Sequence, residues 1–129
     1  MKISELSGAS KVPTKTIRYY EQIGLIAPAI RNDNGYRLYQ PKDIETLVFI
    51  RRCRELNIAI DHIRQLIDVQ QNPQASCSLV DEIIAKQLER IQQTQRELAL
   101  LETSLFALAS SCANHKIADC SILLHLKSK

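Results

Sequence analysis

After Pro73 the chain runs 56 residues without a glycine or a proline, and this stretch limits the fold more than any other feature. It is rich in Leu, Ile, Ala, Gln and Glu, which are mostly good helix formers. From Leu79 to about Ser111, the residues Ile84, Leu88, Ile91, Leu98, Leu101, Leu105 and Leu108 recur at spacings of 3, 4 and 7. That is close to a heptad seam, interrupted by the polar pair Thr94-Gln95. A continuous helix over this span is roughly 50 Å long at 1.5 Å per residue. The residues before it are too few to cover such a seam. Folding the helix back would need a turn near Thr94-Gln95, where neither Gly nor Pro stands. The sequence therefore predicts a homodimer joined by a two-helix coiled coil.

The first part of the chain is built differently. Gly8, Gly24 and Gly35, with Pro13, Pro28, Pro41 and Pro73, punctuate it into short pieces. Ser4 is a candidate cap for a helix through about Ser10, with Leu6 and Ala9 inward. Pro13 fits the first turn of a second helix through about Gln22, and Gly24 suits its C-terminus. This spacing matches a helix-turn-helix. Asn34-Gly35 is a turn signal, and Tyr36 and Leu38 alternate with Arg37 and Tyr39 as in a short hairpin. Pro41 opens a third helix carrying Ile44, Leu47, Val48 and Ile50. A fourth covers roughly residues 60–69, with Ile60, Ile63, Leu66 and Ile67 at helical spacing. The expected fold is mainly α: a winged helix-turn-helix head with a small β-hairpin wing over 1–71, then a linker and long antiparallel coiled-coil dimerisation helix over 72–111. A loop and short end piece complete it over 112–129.

Composition adds limits. The chain of 129 residues is 45% hydrophobic and 24% charged, an ordinary globular balance. No run of 18 apolar residues exists and the N-terminal MKISELSGASK has no apolar core, so neither a membrane span nor a secretory signal is expected and the cytoplasm is the expected location. Residues 1–65 carry 11 Lys/Arg against 7 Asp/Glu, and residues 66–129 carry 6 against 7. Tyr19, Tyr20, Tyr36, Tyr39 and Phe49 all lie in the basic half, which suggests a nucleic-acid surface. Paired carboxylates, a nucleophile motif and a Gly-rich phosphate loop are missing, so an enzyme is not expected.

On the second helix, Ile17 and Tyr20 should face inward, leaving Lys15, Arg18, Tyr19 and Gln22 outward. Lys15, Thr16, Arg18 and Tyr19, with Tyr36, Arg37 and Tyr39 from the hairpin and Arg51 and Arg54 from the third helix, are the expected DNA-binding residues, since Arg and Tyr on an exposed recognition helix reach phosphates and base edges. Arg52 adds to the same basic face. Residues 16–21 (TIRYYE), 24–28 (GLIAP), 35–39 (GYRLY) and 47–50 (LVFI) carry a resemblance to the MerR family of bacterial transcription regulators. It covers the DNA-binding head over 3–67 and runs through the long helix to Leu126. Two departures are Ser4, where the family usually has glycine, and residues 57–60 (NIAI), where it usually has a glycine-containing stretch; the second should loosen a helix connection.

Four cysteines remain. Cys53 sits beside Ile50 and Leu56 in the third helix and reads as a small buried hydrophobe. Cys77 lies just before the long helix, and Cys112 and Cys120 lie after it, enclosing seven residues. By themselves these three leave a metal site and no metal site equally open, because CxxC spacing is absent. Cys77 and Cys112 are 35 residues apart across a helix, roughly 50 Å, and cannot share an ion within one chain. If the long helices pair antiparallel, Cys77 of one chain meets Cys112 and Cys120 of the other. Three sulfurs favour soft ions.

The resemblance implies the same ligand set, since metal-sensing members carry ligands at these places and residues 120–123 (CSIL) are similar to their C-terminal motif. The pattern is most like the cadmium/lead-responsive branch, so Cd²⁺ or Pb²⁺ is the implied ion; Hg²⁺ sensors use a similar three-cysteine set. Zn²⁺ sensors add an adjacent Cys where Ala113 stands, and copper(I) sensors generally use only the two loop cysteines. His115 is either a fourth ligand or a solvated loop residue. The resemblance further implies binding to a near-palindromic double-stranded promoter with an overlong spacer, action on RNA polymerase through DNA distortion, and control of a metal efflux or resistance gene. A non-regulatory metal-binding protein is the competing reading.

Overall fold

The computed structural model describes residues 1–111 and 116–129. Helices α1 (Ile3–Ser10) and α2 (Thr14–Gln22) come first, then strands β1 (Ile30–Arg31) and β2 (Arg37–Leu38), then α3 (Pro41–Glu55) and α4 (Ile60–Gln70). The long helix α5 spans Ser78–Ser111; a 3₁₀ turn at Ile117–Asp119 then precedes α6 (Ser121–Lys127). The chain divides into two compact units, Met1–Ile84 and Ala85–Lys129.

In the first unit, α1 begins one residue before the expected Ser4 cap, with Lys2 at the N-cap. The Lys2 N–H donates to the Glu5 carboxylate at 3.4 Å. Its inward pair is Leu6 and Ser10, and Ala9 is exposed. Ser10 lies one helical turn after Leu6, on the same face. Its fully buried hydroxyl donates to the Leu6 carbonyl at 2.7 Å and accepts from the Val12 N–H at 3.3 Å, so burial leaves no polar atom unpaired.

Helices α2 and α3 stop by the same device. At the end of α2, Gly24 adopts φ +76; its N–H donates to the Glu21 carbonyl and that of Leu25 to the Tyr20 carbonyl. At the end of α3, Asn57 adopts φ +58; its N–H donates to the Arg54 carbonyl at 2.9 Å and that of Ile58 to the Cys53 carbonyl at 3.1 Å. Both are Schellman ends. The expected loosening at residues 57–60 does not occur, because asparagine tolerates the left-handed conformation and Ile58 then drops into the core at 2% exposure.

The wing pairs Ile30 with Leu38 and Arg31 with Arg37, antiparallel. Its turn is closed by the Asn32 side-chain oxygen, which accepts from the N–H groups of Asn34 and Tyr36 at 3.0 Å each, and Gly35 supplies φ +80. Met1 and Tyr39 exchange two hydrogen bonds of 2.8 Å. Leu6, Ile17, Leu47, Ile50, Ile58 and Ile63 form the fully buried centre, joined by Cys53 and by Ile83 from the start of α5. Each such aliphatic contributes about 1.5–3 kcal/mol.

Within α5, Ile83 is the buried residue; the seam residues Ile84, Leu88, Leu98, Leu101 and Leu105 are exposed, Leu105 at 65%. No helix among the described residues is long and apolar enough to cross a membrane. The Asn57 end is open to test. Replacing Asn57 with Ala should cost up to about 1–2 kcal/mol, because alanine lacks asparagine's tolerance of the left-handed region, whereas Asn57→Gly should keep stability. Denaturant titration of the two variants reads this, and an Asn57→Ala variant as stable as the parent would refute the strained-end assignment.

Candidate nucleic-acid interface and metal site

Helix α2 buries Ile17 and Tyr20 and turns Lys15, Arg18, Tyr19 and Gln22 outward, as its spacing predicts. Among the described residues, the Lys15 and Arg18 side chains make no hydrogen bond or ion pair. Thr16 is half-buried, and Tyr19 is half-exposed with its ring 6.0 Å from that of Tyr20. Tyr36 stands exposed at the wing tip. Burial raises the pKa of Tyr20, with Arg54 opposing the shift.

The wing is tied to α2 by one carboxylate. Glu21, with a side chain only 10% exposed, accepts from the Ala29 N–H at 2.8 Å and from the Tyr39 hydroxyl at 3.1 Å through Oε1. Its Oε2 lies 3.2 Å from the Arg37 guanidinium. Tyr39, expected on the DNA face, is instead 4% exposed and belongs to the core. The alternation itself holds, with Tyr36 and Leu38 exposed and Arg37 and Tyr39 turned together towards Glu21; the expectation failed because that shared face meets the core of the head. Burial first, then the Glu21 carboxylate, raises the Tyr39 pKa. A raised folded value means its contribution to stability is complete below the ordinary value of 10.0 and is lost as pH rises beyond it.

The third-helix arginines are partly committed to structure. Arg51 donates from Nε to the Ser10 carbonyl at 3.2 Å and pairs with Glu55 at 2.8 Å. Arg54 donates to the Ile58 carbonyl at 2.8 Å. Both still line, with Lys11, Thr16 and Tyr20, a shallow cavity of about 280 Å³ beside the start of α2. Glu21 is the functional residue that sequence reasoning missed. Its signal was present: a single acid in a basic helix, within a segment whose neighbours are tyrosine and arginine.

Cys53 is buried, and burial pushes its thiol pKa up, as suits a core residue. Cys77 is exposed, and its carbonyl accepts from the Asp81 N–H at 2.9 Å, which places it at the N-terminal boundary of α5. Cys120 is half-buried at the N-cap of α6, its carbonyl accepting from the Leu124 N–H at 3.0 Å. Cys112 and His115, the other expected metal residues, lie outside the described residues. Among the described residues of a single chain, no three His, Cys, Asp or Glu side chains come together around one point.

Residues 1–70 match the family described as MerR HTH family regulatory protein, and residues 44–108 match the family described as MerR, DNA binding. The chain belongs to the MerR family. A relative from Rhizobium meliloti (strain 1021), "Heavy metal-dependent transcription regulator 2", is 37% identical over 126 residues, covering 95% of this chain and 84% of the relative. The crystal structure of the transcription regulator PbrR691 from Ralstonia metallidurans CH34 in complex with lead(II) superposes with a TM-score of 0.88 at 32% identity, covering 98% of each chain. That of MerR from Bacillus megaterium MB1 in complex with mercury(II) superposes at 0.73 with 29% identity, covering 99% of this chain and 100% of the other. MerR-family proteins are transcription regulators, and the chain is not an enzyme.

Within this MerR-family head, Glu21 sets the angle between α2 and the wing. Glu21→Ala should leave the Ala29 N–H and the Tyr39 hydroxyl unpaired, at a cost of about 2–4 kcal/mol. Arg37→Ala should cost less than about 1 kcal/mol, because the Arg37 side chain is one-third exposed and the two neutral donors still satisfy Glu21. Parallel urea titrations give the two values. Equal losses would mean that the ion pair, and not the pair of neutral donors, carries the contact.

Proposed function

We propose that the chain is a homodimeric, metal-responsive transcriptional regulator that binds promoter DNA and activates transcription on loading a soft heavy-metal ion. The observation that carries this reading is the uncovered seam of α5. Ile84, Ile91, Leu98 and Leu105 fall at intervals of seven residues along α5, and in the sequence Cys77 and Cys112 continue the same interval before and after it. Two such helices paired antiparallel cover each other's apolar row and bring Cys77 of one chain beside Cys112 and Cys120 of its partner. The 34-residue helix is roughly 50 Å long, so the dimer has two equivalent thiolate sites, one at each end.

Each head docks on one half-site. Arg18 and Lys15, with Thr16 and Tyr19, present α2 to base edges and phosphates, while Tyr36 and Arg37 present the wing. Arg51 and Arg54 add positive charge beside a phosphate. Tyr39 serves by holding the wing and not by touching DNA. When bound, the ion supplies a free-energy difference between two arrangements of the dimer. The chain's own part is to transmit that difference along α5 to the heads, which bend and untwist a promoter with an overlong spacer so that RNA polymerase engages it. A metal efflux or resistance gene is the target that fits such a sensor.

The three-thiolate set suits Cd²⁺ or Pb²⁺, and the likeness to a lead-bound regulator supports that choice. Hg²⁺ is the second reading, supported by the likeness to a mercury-bound one. Ala113, next to Cys112, removes the adjacent thiolate a Zn²⁺ site would use. His115 is read as a non-ligand, so His115→Ala should leave relative affinities for these ions unchanged.

Two experiments test the reading. Arg18→Ala should weaken operator binding by about 1–3 kcal/mol at matched salt, and unchanged affinity would remove the docking assignment. Mixed dimers of a Cys77→Ser chain with a Cys112→Ser, Cys120→Ser chain should rebuild one complete site, while neither parent homodimer has any. Equilibrium titration should find about one tightly held cadmium ion per mixed dimer and weak binding by both homodimers. A mixed dimer as weak as its parents would overturn either the antiparallel pairing or the ligand role of Cys77.

A further inference from the structure

Helix α2 is fastened most firmly at its last turn. It has nine residues, and its N-cap, Pro13, makes no side-chain hydrogen bond. Ile17 and Tyr20 root it in the core, and Glu21 ties it to the wing. One residue past its end, the carbonyl of the C-cap residue Ile23 accepts from Nη2 of Arg64 at 3.0 Å. That carbonyl is one that a helix C-terminus leaves without an internal partner.

Arg64 lies on α4, 41 residues away in sequence, between the buried Ile63 and Leu66, so the arm has a fixed base. Among the described residues it pairs with no carboxylate, and its positive charge faces the negative end of the α2 dipole. The guanidinium also lies against the turn that follows: a Cβ built on Gly24 would stand 3.7 Å from Nη1. Lys15 and Arg18 precede Ile23 by eight and five residues, so they stand about 12 and 7.5 Å from it along the axis. A tilt of about 10° at the last turn moves Lys15 by roughly 2 Å, whereas a recognition group must be placed to within about 0.5 Å.

We propose that Arg64 is a positioning residue for DNA recognition, its guanidinium gripping the Ile23 carbonyl so that α4 sets the tilt at which Lys15, Arg18 and Tyr19 meet base edges. This rests on the reading of α2 as the helix that faces DNA. The grip acts on sequence discrimination more than on overall attraction. Phosphate attraction acts over a screening length of about 10 Å and tolerates a tilted helix. Base-edge hydrogen bonds of about 2.7–3.2 Å are directional and do not.

The test uses the full chain without added metal, in four forms: the parent, Arg64→Ala, Arg64→Lys and Arg18→Ala. Two duplexes serve as probes, one enriched by the parent from a random-sequence pool and one of the same composition in scrambled order. Fluorescence anisotropy gives both affinities across a salt series, and urea titration gives the stability of each form. Arg64→Ala should bind the enriched duplex about five- to tenfold more weakly, with scrambled-duplex affinity and salt slope at parent values. Arg64→Lys keeps a charged donor and should recover much of the loss. A merely structural Arg64 would lower the urea midpoint and leave the ratio of the two affinities unchanged, and that result would overturn the proposal. Weaker binding to both duplexes with a salt slope reduced by about one would make Arg64 a phosphate contact and overturn it equally. Arg18→Ala separates this role from the reading on which it rests. Should Arg18→Ala lose discrimination while Arg64→Ala keeps it, the Arg64 role alone falls; should both keep it, α2 is not the reading helix and both assignments fall.

Discussion

Everything in the second half of this chain follows from a helix that cannot cover itself. The head buries α5 only as far as Ile83, and from Leu88 to Leu105 the apolar row faces outward. Each of those side chains gains about 1.5–3 kcal/mol on full burial, so leaving the row in water is unfavourable by far more than one missing contact. In the dimer proposed above, a second copy covers this row with a helix of the same length and spacing, and the antiparallel pairing would bring Cys77 of one chain beside the C-terminal cysteines of its partner.

The head obeys a different constraint. It must hold a two-residue-strand wing, too small to be stable alone, at a fixed angle to α2. Glu21 meets that need by accepting from two neutral donors and facing a cation at once. The outward residues Lys15, Arg18 and Tyr36 stay available because the inward ones are fixed by the core. Arg51 and Arg54 occupy an intermediate position: each satisfies a backbone carbonyl, so neither is a loose cation, yet both border the same basic notch.

Periodicity made the long helix, its seam and the helix-turn-helix spacing readable, because those depend on residues near one another in sequence. Asn34-Gly35 and Gly24 were readable because each marks a backbone conformation that few residues accept. Tyr39 was misplaced for the opposite reason: alternation puts it on one face with Arg37, but what that face meets is Glu21, far away in sequence. Ser10 could not be distinguished from Ala9 as the inward residue without knowing that its hydroxyl bonds to the Leu6 carbonyl. The stop at Asn57 was mistaken for a looser joint because a missing glycine was taken as missing left-handed backbone, which asparagine also supplies.

Native mass spectrometry of the cadmium-loaded protein can distinguish metal sites shared between two chains from sites held within one. Shared sites should give a single dominant species of two 14.7-kDa chains carrying two cadmium ions, with loss of the dimer and loss of the ions coinciding on collisional activation. A 14.7-kDa chain that keeps one tightly bound ion on its own, or a dimer that binds none, would contradict it.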